Sequence, residues 1–113
     1  MIYYGVIAKN RYVVADYTKY DGDFPTIFQQ IINATPQTDK IAVYTRDERS
    51  YYIRHNSDGY AFGCLVPAIM PADGPTKFLE KLQTRVYAGK SSTPRATASV
   101  FTKIIRELVV IYP

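Results

Sequence analysis

The sequence predicts an α+β domain: a five-stranded antiparallel sheet between two helical layers, with element order ββαβββαα and strand order 2-1-5-4-3. Three observations lead there. Two segments, Ile2 to Ala8 and Ala61 to Val66, are apolar along nearly their whole length, and a strand apolar on both sides needs cover on both faces. Three other segments repeat apolar residues at helical spacing. Short polar breaks join neighbouring strands as hairpins.

Each element follows from local chemistry. Ile2 to Ala8 is the first strand. Lys9-Asn10 supplies a two-residue turn, since Asn tolerates the positive φ that such turns need. Arg11 to Tyr17 is the second strand, carried by Tyr12-Val13-Val14-Ala15. Asp21-Gly22-Asp23 breaks the chain, with Asp23 as the expected N-cap. Phe24, Ile27, Phe28, Ile31 and Ile32 then form one apolar helical stripe, with Pro25 tolerated in the first turn and Pro36 stopping the helix. Lys40 to Arg46, Arg49 to Asn56 and Tyr60 to Pro67 are three strands of a meander, broken at Asp47-Glu48 and Ser57-Asp58-Gly59. Pro67 to Pro75 reads as a loop. From Pro75 the helical period returns through Phe78, Leu79, Leu82 and Val86 until Gly89 ends it. After a polar linker over 90–96, a last helix starts near Thr97 or Ser99 and packs Phe101, Ile104, Ile105, Leu108 and Tyr112. The two wholly apolar strands take the sheet centre. The first helix crosses one face, and the last two cover the other.

At 113 residues and 12.9 kDa, residues 1–113 make a single domain. Apolar residues are 47% and charged residues 21%, which fits a globular chain and not a disordered one. No stretch approaches the roughly 20 apolar residues of a membrane span. Met1 runs straight into Ile2-Tyr3-Tyr4, unlike the basic start of a signal peptide. Charge balances to zero over residues 1–58, so the net +4 falls in residues 59–113. That excess permits contact with an acidic surface without arguing for nucleic acid.

The chain holds one cysteine, Cys64, and one histidine, His55. A disulfide and a multi-cysteine metal site are excluded, and neither a metal nor a cofactor is expected. Cys64 as nucleophile with His55 as base is weaker than the plain reading, a buried thiol in a central strand and a solvent-facing histidine in an outer one. The chain is therefore read as non-catalytic. Gly89-Lys90-Ser91-Ser92 imitates the end of a phosphate-binding loop, but Thr84 stands where that motif needs glycine, and a helix precedes it in place of a strand. Lys77, Lys81 and Arg85 recur every four residues as a basic stripe. Its ordinary reading is a solvated helix face, and its functional reading is contact with an anionic membrane. The third strand is the most informative element. Lys40-Ile41-Ala42-Val43-Tyr44 is an edge beside the first helix, with charge only at its ends. Such an edge next to an amphipathic helix makes a groove for a partner segment.

The residues also resemble a known family. Ile2-Tyr3-Tyr4-Gly5-Val6-Ile7-Ala8-Lys9, Tyr17-Thr18, Gly22-Asp23-Phe24, Thr35-Pro36, Asp39-Lys40-Ile41, Tyr51-Tyr52-Ile53, Asp58-Gly59 and Pro75 with Phe78-Leu79 and Leu82 are similar, in order and spacing, to the longin domain of R-SNAREs of the tetanus-insensitive type. The likeness spans residues 2–112. The Pro67-Ala68-Ile69-Met70-Pro71-Ala72-Asp73 loop departs from that pattern, and neither a SNARE heptad region nor a membrane anchor occurs in these residues. The resemblance implies a profilin-like three-layer sandwich on the cytoplasmic face of vesicles or endomembranes. It implies a groove that takes a SNARE helix, the protein's own or another's, or a sorting partner. By carry-over, Ile41 and Val43 are the strand contacts, and Ile27 and Ile31 are the helix wall. The alternative is a structural subunit of a trafficking tether or adaptor complex with the same architecture. A downstream heptad region with a hydrophobic tail separates the two.

Overall fold

The computed structural model describes residues 1–88 and 94–112. Its elements are β1 (Tyr4–Lys9), β2 (Tyr12–Thr18), α1 (Phe24–Ala34), β3 (Ile41–Arg46), β4 (Arg49–His55), β5 (Tyr60–Pro67), α2 (Asp73–Ala88) and α3 (Pro94–Ile111). The strands form one sheet in the order β2-β1-β5-β4-β3, with every neighbouring pair antiparallel. The expected topology and strand order are those found.

The centre of the sheet explains the layers. β1 and β5 are buried at every position but their last residues. Side chains alternate between faces, so each strand supplies two cores. On one face Tyr4, Val6, Tyr51 and Leu65 pack against Phe24 and Phe28 of α1, and Ala8, Ile53 and Ala61 pack against Ile32. On the other, Ile7, Phe62, Cys64 and Val66 meet Phe78, Leu79 and Leu82 of α2 and Phe101, Ile105 and Leu108 of α3. Each fully buried aliphatic or aromatic side chain contributes about 1.5–3 kcal/mol of transfer free energy.

Several local expectations change. The first hairpin turns at Asn10-Arg11, one residue later than expected, with φ of 51° and 69°. Positive φ at both central residues is what a two-residue turn demands. A one-residue slip would invert every β2 side chain. A bulge where Ile7 faces Ala15 but Ala8 faces Val13 absorbs the extra residue Val14. Asp23 holds the N-cap position of α1 without a side-chain cap bond, so the aromatic contacts of Phe24 and Phe28 with Tyr4 fix that helix start. α2 begins at Asp73, and α3 begins at Pro94 instead of near Thr97 or Ser99. Proline breaks a strand but suits the first turn of a helix, where no N–H is required. Pro75 is accordingly buried inside the first turn of α2. The expected stop at Gly89 and the Gly89-Lys90-Ser91-Ser92 imitation lie outside the described residues.

His55 is buried, not solvent-facing. β4 is an inner strand, and the segment leading from α1 to β3 folds over its end. His55 Nδ1 lies 3.0 Å from the Thr35 carbonyl, and Nε2 lies 3.2 Å from the Gln37 amide nitrogen.

Glycine in β5 sets the distance of α1. A Cβ at Gly63 would stand 2.7 Å from Phe28 Cε1 and 2.9 Å from Val6 Cγ1. Gly63→Ala is therefore expected to lower stability by about 1–3 kcal/mol through overpacking, read as a lower urea midpoint at unchanged slope.

Candidate partner-binding groove

A sheet of this order has two edges, and they are treated differently. Along β2 the chain is bulged, and the Val13 N–H donates to Gln29 Oε1 on α1 at 3.4 Å. Tyr17 and Ala15 of the same strand join the core under α3. Among the described residues β3 has no such cover. Val43 is 48% exposed and Tyr44 41% exposed.

The turn at Asp47-Glu48 determines which groups β3 offers. Its φ values are 53° and 63°, and it closes Arg46 onto Arg49. In a two-residue hairpin the closing pair exchanges both main-chain bonds, and alternate pairs repeat the exchange. Arg46, Tyr44 and Ala42 therefore spend their main-chain groups on Arg49, Tyr51 and Ile53. Ile41, Val43 and Thr45 aim their N–H and C=O groups outward. These are unpaired strand groups of the kind that accept another chain.

Beside this edge lies an open cleft of 410 Å³ lined by Ile27, Gln30 and Ile31 of α1, Tyr44, Arg46, Asp47 and Tyr51. α1 carries no charged residue. Its buried residues Phe24, Phe28 and Ile32 hold it to the sheet, while Ile27 and Ile31 remain half-buried on the rim. The Tyr44 hydroxyl lies 3.0 Å from Thr35 Oγ1, and that hydroxyl donates to the Ile31 carbonyl at 2.7 Å. A polar link thus joins the strand wall to the last turn of the helix.

The residues expected from sequence fall into two groups. Ile27 and Ile31 line the cleft. Ile41 and Val43 project from the opposite face of the sheet: Ile41 sits opposite Arg54 and packs on the α2 and α3 side, and Val43 sits opposite Tyr52. They reach the groove only through their outward main-chain groups. The side chains that sequence reasoning missed are Tyr44 and Tyr51, which pair across β3 and β4 on the α1 face. The signal for them was the position of Tyr51, two residues before the core residue Ile53.

Other candidate chemistry separates. Cys64 belongs to the core on the α2 and α3 face, whereas His55 bonds to the end of α1 on the other face. The sheet stands between them, so they do not form a nucleophile and base. Burial pushes the Cys64 thiol far above its ordinary range. Among the described residues, no three or more His, Cys, Asp or Glu side chains gather to hold a metal ion, and no helix is long and apolar enough to cross a membrane. Lys77, Lys81 and Arg85 are exposed on α2, across the sheet from the cleft, and Arg85 Nη2 holds Glu107 Oε2 at 2.8 Å.

No family model matches the sequence, and no curated protein matches it. Among solved structures the chain is similar to the longin domain of the yeast R-SNARE Nyv1p, with a TM-score of 0.55 and 14% identity. That match covers 99% of this chain and 93% of the other. The chain has the longin fold, and the resemblance read from its motifs holds at that level.

A buried thiol on the far side of the sheet from the histidine reacts only when the domain opens. Alkylation of Cys64 under native conditions is expected to be at least roughly a thousandfold slower than in denaturant, followed by mass spectrometry.

Proposed function

We propose that the chain is a non-catalytic regulatory domain of a vesicle R-SNARE, acting on the cytoplasmic face of vesicles or endomembranes. Its groove binds a SNARE-motif segment, from its own protein or another, or a sorting regulator. The observation that carries this reading is the uncovered edge of β3 beside an uncharged helix with two half-buried isoleucines. The longin fold supports it, because the yeast R-SNARE domain that the chain is similar to shares that fold.

The mechanism follows from the division of labour at the edge. Outward groups of Ile41, Val43 and Thr45 accept main-chain bonds from an extended stretch of the partner. Apolar partner side chains enter the cleft over Ile27, Ile31, Tyr44 and Tyr51. Burying a few such side chains contributes about 1.5–3 kcal/mol each, reduced by the cost of ordering the partner. The balance suits a reversible switch between a closed domain and an available SNARE segment.

The parity of β3 selects the decisive variants. Val43→Pro removes an outward N–H and leaves the β4 ladder intact, so the domain is expected to unfold near its usual temperature. Affinity for an added SNARE-motif peptide, measured by fluorescence anisotropy, is expected to fall at least about tenfold. Tyr44→Ser should lower it by a similar factor through lost burial, about 1.5 kcal/mol or more. Ile41→Ser, by contrast, removes a side chain packed on the core and should act first on stability. Undiminished affinity in both Val43→Pro and Tyr44→Ser would remove the groove from the account.

A further inference from the structure

We propose that the outer surface of α2 and α3, with the loop 68–72 at its end, is a second contact surface whose occupant is an anionic bilayer. It does not rest on the groove, because it lies on the opposite side of the sheet.

Charge is the first argument. The two helical layers differ completely: α1 has no charged residue, whereas Lys77, Lys81 and Arg85 of α2 and Lys103 and Arg106 of α3 are all exposed. The acidic residues described in these two helices are Asp73, Glu80 and Glu107, and Arg85 neutralises the last by a 2.8 Å ion pair. The spacing of Lys77, Lys81 and Arg85 puts them in one row along α2, in which Arg85 is paired with Glu107 and the lysines supply the positive charge. A row of cations on one face is complementary to a negatively charged leaflet.

Exposed apolar side chains at the end of the same surface are the second. Ile69 is 94% exposed at the tip of the loop, Ile111 is 64% exposed and Val110 59% exposed. Ile111 joins two adjacent clefts. One, of 290 Å³, is shared with Ile2, Met70, Pro71, Asp73, Gly74 and Tyr112; the other, of 540 Å³, is shared with Tyr17, Arg85, Arg106, Glu107 and Val110. Greasy side chains and guanidinium groups thus share one surface. Ile69 projects from it instead of lining a groove. That form matches insertion among lipid headgroups, where an apolar group sinks while its cationic neighbours stay at the phosphates.

The test is sedimentation of the 113-residue chain with vesicles of phosphatidylcholine alone or with about 30% phosphatidylserine. The serine-lipid vesicles are expected to bind at least about fivefold more protein. The difference should vanish as salt rises from about 0.1 to about 1 M and the screening length falls from about 10 to about 3 Å. Lys77→Gln with Lys81→Gln should weaken partitioning about 25-fold, since each charge is worth about fivefold. Ile69→Ser should weaken it severalfold while leaving the salt dependence in place. These positions are exposed, so an unchanged thermal midpoint is expected in each variant. Equal binding to both vesicle types, binding to neither, or full binding by the double glutamine variant overturns the proposal.

Discussion

The pairing of β1 with β5 is the constraint from which the rest of the domain follows. Both strands are apolar on both sides, so both faces of the sheet at their position must be covered. α1 covers one face, and α2 with α3 covers the other. Each central strand then continues outward by a hairpin, β1 to β2 and β5 to β4 to β3. The edges are what remains when that growth stops. Glycines sit at this centre for the same reason. Gly63 lets Phe28 approach one face, and Gly5 lets Ile105 and Phe78 approach the other.

The two edges carry different amounts of protection, and the interaction proposed falls at the less protected one. β2 is bulged, tied to α1 through Gln29 and packed under α3. β3 is joined to the domain by β4 and by the Tyr44 link to Thr35. Natural sheets normally blunt such an edge with charge or proline. Here Lys40 and Arg46 flank the strand, but nothing charged interrupts Ile41 to Thr45. The structural asymmetry of the sheet is thus an asymmetry of edges.

Most of the architecture was legible in the sequence because it rests on long, consistent patterns. Uniformly apolar strands marked the centre, and the 3.6-residue stripes of Phe24 to Ile32 and Phe78 to Val86 marked helices that packing then confirmed. What failed to show was parity and context. In β3 both alternations, Ile41 with Val43 and Ala42 with Tyr44, are apolar, so composition does not say which pair turns toward α1. Tyr51 and Ile53 on the neighbouring strand decide it, and only pairing reveals that. His55 looked like an outer-strand residue because the segment that buries it, Thr35 to Lys40, has no periodic signal. A proline misled in the other direction. Pro94 read as a linker residue, yet a helix accepts proline in its first turn.

The connection between α1 and β3 is held by His55 against Thr35 and Gln37, by Thr35 against Tyr44, and by the main-chain bond from Asp39 to His55 at 3.1 Å. These contacts act as struts between the helix and the strand that frame the cleft. Its aperture is therefore preset by polar geometry and not by the looser fit of aliphatic groups. In the function proposed, a docking segment would meet a cleft already framed by these bonds, so little of its binding energy would go into reshaping the host. Selectivity would then rest on which guest fits the width those bonds set.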